Sequence, residues 1–202
     1  MKLDAIHEHY VKNRRIDILS ARLAELYEDG PRSVLDVGCG DGQIASRVMA
    51  LKSGLKIQGI DPLVRPDTAI EVTAFDGQEL PFADESFDYV QFVDVLHHTE
   101  DPMVLLREGC RVARRGIVLK DHLVKGLAAR QVLRFMDGVG NQRFGVSLPH
   151  NYWTPTQWKK AFELLKLNAV EWNEQIALYP WWANWIFGRN LHVIAKLMKV
   201  SA

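Results

Sequence analysis

"SVLDVGCGDG", residues 33 to 42, decides how the rest of the chain is read. An apolar run around Asp36 has the length and character of a strand buried in a parallel sheet. Gly38, Gly40 and Gly42 follow at every second position and bare the backbone where that strand would end. Glycine admits left-handed turns and lets another group approach the main chain closely. The stretch therefore predicts a buried strand, a tight turn built for a ligand, and a helix after it.

Working outward, residues 43–51 read as that helix, and "KIQGI" (56–60) as a second strand stopped by Asp61-Pro62. "AIEVTAF" (69–75) alternates as a third strand and "DYVQFVDV" (88–95) is a buried fourth. Residues 101–115 form the next helix, with Asp101 as N-cap, Pro102 at its first position, and Arg111, Arg114 and Arg115 suited to its negative C-terminal end. "GIVLKD" (116–121) is a fifth strand, and a helix is expected over 123–136. Thr154-Pro155-Thr156-Gln157 reads as a capping box opening a helix with Trp158, Phe162 and Leu165 on one face. Two strands follow, near 169–178 and 190–198. Upstream, Leu3, Ile6, Tyr10, Ile16, Leu19, Leu23 and Leu26 recur at helical spacing until Gly30-Pro31.

Strands alternating with helices predict an α/β fold whose mainly parallel sheet is covered on both faces. Ligands then sit beyond the C-terminal strand ends, where the strand order reverses. The loops after Val37, Ile60, Phe75, Asp94 and Asp121 share that rim.

At 202 residues the chain is expected to form one domain. Its parts are a helical cap (1–30), a ligand-binding core (33–122), an insertion (123–153), and a closing helix and strand pair (154–202). Lys plus Arg and Asp plus Glu both total 25, so nothing in the net charge calls for nucleic-acid binding. The two cysteines suggest no disulfide framework, the N-terminus lacks an apolar signal core, and no run is long enough for a membrane span. A cytoplasmic protein is the expectation.

The glycine turn departs from the dinucleotide fingerprint G-x-G-x-x-G, with Gln43 in place of its third glycine. Asp36 would repel a phosphate and attract an ammonium. Asp61 is placed to accept two ribose hydroxyls, and Asp76-Gly77 to accept from the exocyclic amine of a base. S-adenosylmethionine carries all three groups. Singly, Asp61 and Asp76 are also ordinary turn formers. The ordered set is more specific than either.

"VLDVGCGDG", "GID", "AFDGQELPFADESFDYVQFVDVLHHTEDP" and "GIVLKDH" together resemble the successive motifs of the class I S-adenosylmethionine-dependent methyltransferases, in the type 11 small-molecule branch. The resemblance covers roughly residues 33–122. It implies a Rossmann-like, three-layer fold with a seven-stranded, mostly parallel sheet and an antiparallel last strand. It implies that Asp36, Gly38, Cys39 and Gly40 line the methionine end and that Asp61-Pro62 meets the ribose. Asp76-Gly77 faces the adenine, and the Asp94 backbone flanks the cofactor. One departure is "ARRG" where relatives often join helix to strand through "LKPGG", which looks like a shorter connection.

The acceptor is less legible. "DVLHH" stands where many nucleobase and amide methyltransferases carry an Asn/Asp-Pro-Pro-aromatic stretch, which favours a small molecule. His98 is the candidate general base. Alternatively, His97 and His98 anchor the loop, with His122 and His150 as rival bases. No metal is expected. Asp94 and Asp121 end neighbouring strands much as in magnesium-dependent catechol methyltransferases, but His122 stands where that pattern wants an amide, and Mg²⁺ prefers oxygen.

All six tryptophans lie between Trp153 and Trp185, and a parallel sixth strand would deliver "YPWWANWIFGRN" to the rim. Trp181, Trp182 and Trp185 then join His122, His150 and Tyr152 on the acceptor side. They are core packing, an aromatic wall for an apolar or aromatic acceptor, or a peripheral membrane contact. Two other readings of the chain stay open: an NAD(P)-binding oxidoreductase, and a cofactor-binding fold acting as a non-catalytic partner.

Overall fold

The computed structural model describes residues 3–30, 32–141, 149–179, 184–188 and 190–200. The helices are α1 (Leu3–Glu25), α2 (Gln43–Leu51), α3 (Pro102–Val112), α4 (Ala129–Asn141) and α5 (Pro155–Leu164). The strands are β1 (Arg32–Val37), β2 (Leu55–Asp61), β3 (Val72–Ala74), β4 (Phe87–Val93), β5 (Ala113–His122), β6 (Leu167–Asn173) and β7 (His192–Lys199). A short 3₁₀ turn covers Leu96–His98 and a π-helical turn covers Asn184–Gly188. No helix among the described residues is long and apolar enough to cross a membrane.

All seven strands form one sheet in the order β3-β2-β1-β4-β5-β7-β6. β7 runs antiparallel to both β5 and β6, so β6 is parallel to the rest, as expected. The order reverses between β1 and β4, which opens the crevice at their C-terminal ends.

The pleat divides the core. Leu35, Val37, Val90, Phe92, Ile117 and Leu119 pack under α3 and α5. Val34, Tyr89 and Val118 pack with Leu23, Tyr27, Ala45 and Val48 of the α1 and α2 layer. On this second face the strands turn polar toward the rim, where Asp36, Gln91 and Lys120 are buried. Asp36 lies beside Gln91 in the strand register.

Several boundaries differ from the sequence reading. α3 stops at Val112 because Ala113 is already extended and paired with Phe87, so Arg114 and Arg115 lie in β5 rather than at a helix end. They meet Asp88 and Glu28 instead. The join from helix to strand is thus as short as "ARRG" suggested. β3 has three residues, not seven, because Ala69 donates its N–H to Asp41 and leaves the β2 ladder. β6 begins earlier and ends at Asn173, whose side chain accepts from the Gln175 N–H and turns the chain.

The helix expected over 123–136 begins only at Ala129. The N–H groups of Leu123 and Val124 go to the carbonyls of Leu191 and Trp153, and Gly126 and Ala128 take positive φ. The capping box at Thr154 and the Asp101 cap are present as read.

Candidate active site

The glycine turn is held by main-chain and carboxylate bonds. Gly38 and Cys39 both donate to the Ile60 carbonyl, at 2.7 and 3.3 Å. Asp61 accepts from the Gly40 N–H at 2.8 Å through one oxygen and from the Leu63 N–H at 2.8 Å through the other. Gly38 needs to be glycine: its φ is +70°, and a Cβ there would stand 2.6 Å from Val95. That contact joins the turn after β1 to the loop after β4.

Asp36 is 3% exposed, and its Oδ1 makes no hydrogen bond. Burial lifts its carboxyl to about 7, partly opposed by the Gln91 amide and reinforced by the charge on Asp61. Gln91 is fixed in turn by the Tyr27 hydroxyl, 2.8 Å from its Oε1. Asp76 is exposed and caps a turn, accepting from Gln78 and Glu79 at 2.8 Å each, which lowers its pKa.

The other half of the rim is a dense set of side-chain ion pairs. Asp94 takes φ +56° after β4, and its carboxylate accepts from Arg15 of α1 and from the buried Lys120 of β5. Burial would raise the Asp94 pKa, but those two cations hold it well below the usual range. Lys120 also touches His192 Nδ1 at 3.3 Å.

Beside this lies a second network. Asp121 accepts from His97 Nδ1 at 2.5 Å, from the Leu96 N–H at 3.0 Å and from the His122 N–H at 2.6 Å. His97 Nε2 is 3.5 Å from Asp137 of α4, which also accepts from the Tyr152 hydroxyl. Tyr152 contacts His150 Nδ1 at 3.0 Å.

Burial alone would strip the proton from His97, but Asp121 and Asp137 outweigh it and hold the pKa at about 10. His98 goes the other way. Its burial, and the charge on His97, push it down to about 4. His122 is also driven well below its ordinary value, by burial and then by His97 and Lys120.

The structure brings His98, His122, His150 and Tyr152 into one cluster around His97. It adds Arg15, Lys120, Asp137 and His192, which the sequence reading missed. Asp137 could have been noticed as a carboxylate on the apolar face of "VLRFMDGVG". Arg15 and His192 left no local signal. Trp181 and Trp182 lie outside the described residues, as do 142–148. The turn carrying Trp185 is described, and Phe187 within it stacks on Phe135 of α4 at 6.2 Å and accepts from His192 through its carbonyl. A cavity of about 430 Å³ lies away from this cluster, between α1 and the β6–β7 pair, lined in part by Tyr27, Glu28 and Lys196.

A family model described as a methyltransferase domain matches residues 35–119, the span from β1 to β5 that carries the turn, Asp61 and Asp94. Over that span the chain is similar to the class I S-adenosylmethionine-dependent methyltransferases. The methyl donor of this family is S-adenosylmethionine.

Among its relatives, the methyltransferase GfsG of Streptomyces halstedii is 30% identical over 168 residues, covering 72% of this chain and 59% of that protein. The 27-O-demethylrifamycin SV methyltransferase of Amycolatopsis mediterranei is 34% identical over 106 residues, 45% of this chain and 39% of that one. The chain thus spans little more than half of the one and less than half of the other. A chain from the complex of the Haloferax volcanii Trm112 methyltransferase activator with a methyltransferase shares the fold. Its TM-score is 0.71 at 17% identity, over 96% of this chain and 94% of that one.

Proposed function

We propose that this chain transfers a methyl group from S-adenosylmethionine to a small molecule with an apolar or aromatic body. Asp36 carries the reading: a buried carboxylate with one oxygen unbonded, beside a bared turn, fits a cationic amino-acid end. Bound there, the cofactor supplies an electrophilic methyl on a sulfonium.

The chain's own residues would hold and orient it. Asp36, Gly38, Cys39 and Gly40 take the methionine end. Asp61 and Pro62 take the ribose: each Asp61 oxygen already accepts one N–H and keeps a lone pair for a hydroxyl. Asp76 and Gly77 flank the adenine, and the Asp94 backbone closes the near side.

On the acceptor side, His98, His122, His150 and Tyr152 face a polar group, with Trp181, Trp182 and Trp185 as the wall beside it. Phe187, in the turn at Asn184–Gly188, stacks on Phe135 of α4. With a pKa near 4, His98 is neutral at pH 7 and a weak base. It suits hydrogen bonding to the acceptor better than proton removal. Arg15, reaching Asp94 from α1, closes the rim against water, which strengthens the electrostatics inside. We take residues 1–202 as one domain, with 1–30 and 123–153 as the two acceptor walls. The 27-O-demethylrifamycin SV relative supports a small-molecule acceptor.

Calorimetry with S-adenosylhomocysteine, followed by a panel of phenols, quinol precursors, fatty acids and polyamines read out as S-adenosylhomocysteine release, tests the reading. Binding plus turnover of one class is expected. Binding without turnover of any acceptor would favour a non-catalytic partner. NADH binding in place of S-adenosylhomocysteine would favour an oxidoreductase.

A further inference from the structure

The geometry points to a divalent transition-metal site formed by His97, His98 and Asp137. One ligand atom from each lies within 4.8 Å of the others. His97 Nε2 and Asp137 Oδ2 are 3.5 Å apart, and two ligands about 2.1 Å from a tetrahedral ion stand roughly 3.4 Å apart. The His97 and Asp137 side chains are 2% and 4% exposed. The rings of His97 and His98 lie 4.0 Å apart, with His98 brought alongside by the 3₁₀ turn.

The surroundings have the form a metal site requires. The far nitrogen of His97 is held by Asp121, which is itself fixed by two backbone N–H groups. A carboxylate on the second nitrogen of an imidazole sets its tautomer and orientation toward an ion. Asp137 is oriented by the Tyr152 hydroxyl. Two imidazoles and one carboxylate suit Zn²⁺, Co²⁺ or Fe²⁺ rather than Mg²⁺ or Ca²⁺.

Three protein ligands leave room for a water or an acceptor oxygen, whose pKa the ion would lower. The site stands whether or not the methyl-transfer reading holds; its use on an acceptor oxygen rests on that reading. A second trio, Asp94, His97 and His122, shares His97. There Asp94 is already bonded by Arg15 and Lys120, two cations that a divalent ion would have to face. The sequence reading expected no metal because it sought carboxylates at strand ends, whereas Asp137 arrives from α4.

The test is titration of the chelator-treated full chain with Zn²⁺ alone, and with Co²⁺ to read coordination from its visible absorption. One ion per chain is expected. His98→Gln and Asp137→Asn should each weaken Zn²⁺ binding at least about tenfold, and Asp121→Asn about 10- to 100-fold through His97. His192→Gln should leave it unchanged. Circular dichroism reports folding of each variant, and S-adenosylhomocysteine titration reports the cofactor half separately. A wild type that binds Zn²⁺ but no S-adenosylhomocysteine would sink the methyl-transfer reading and leave the metal site standing. No stoichiometric Zn²⁺ on the wild type would overturn the site. So would binding that survives both His98→Gln and Asp137→Asn, or that is lost with His122→Gln instead.

Discussion

The side of the rim proposed for the cofactor takes Asp36, the glycine turn and Asp61 from two consecutive strands, and ties them with main-chain N–H groups. The side proposed for the acceptor gathers Arg15, Asp94, His97, Lys120, Asp121, Asp137, Tyr152 and His192 from elements scattered between α1 and β7, and ties them with side-chain charges. A site made of backbone tolerates most side-chain changes but no added Cβ. A site made of buried ion pairs tolerates no missing partner, because the charge left behind has lost its water and its counter-ion. The two halves should therefore fail in different ways.

The largest effect is expected from Asp121→Ala. It leaves the Leu96 N–H without its acceptor and His97 with Asp137 as its remaining counter-ion, and should lower stability by about 3 kcal/mol in urea unfolding. The protein that remains folded should keep its affinity for S-adenosylhomocysteine. A joint loss would mean the halves are one unit.

Gly40→Val is the converse. It places a branched side chain at φ +61°, with its Cβ 3.3 Å from Arg65. Calorimetry should show at least about a hundredfold loss of cofactor affinity. The backbone strain itself costs only about 1 to 2 kcal/mol of stability. Wild-type affinity in the folded variant would misplace the cofactor.

Asp61→Ala removes an acceptor for the ribose and the brace on the Gly40 N–H. About 1.5 to 3 kcal/mol, or roughly ten- to a hundredfold in affinity, is expected. A change below about twofold would reduce Asp61 to a turn residue.

The pH dependence of Asp36 sharpens the comparison further. Its folded pKa is raised to about 7, so without cofactor the folded state holds a proton that the unfolded state has lost. Its contribution to stability is present below the ordinary carboxylate pKa, is lost as pH rises toward about 7, and is level above that. A cationic ligand wants the ionised form, so cofactor affinity should rise through the same window and level off above it. Asp36→Asn should flatten both profiles. Thr154→Ala, in a capping box whose bonds join only Thr154 and Gln157, should cost about 1 kcal/mol and change neither ligand affinity.

The same contrast decides what the sequence could reveal. β1, the glycine turn, α2 and Asp61 are written in adjacent residues whose local preferences agree, so strand, turn and helix could be read directly. Asp101 and Thr154 announced their helices for the same reason. Where tertiary partners competed with local preference, the reading slipped. Leu123 and Val124 look helical but are drawn into bonds with Leu191 and Trp153, and Ala113 follows β4 rather than finishing α3. On the acceptor side, single residues such as His98, His150 and Tyr152 could be named from their place near strand ends or loops. Their partners could not. Arg15 meets Asp94 across 79 positions and Lys120 meets His192 across 72, with no pattern in the sequence to mark either pairing.

The strand order also has a consequence in time. β6 touches the sheet only through β7, which inserts between it and β5. On a growing chain, β1 to β5 can dock while β6 waits without a partner until His192–Lys199 has been made. Such late, long-range pairing closes slowly and leaves an unpaired edge meanwhile. The pocket proposed for the donor would thus be complete on the ribosome before His192 has joined the side proposed for the acceptor, and an arrested chain ending short of β7 should hold S-adenosylhomocysteine while leaving Lys120 without one of its neighbours.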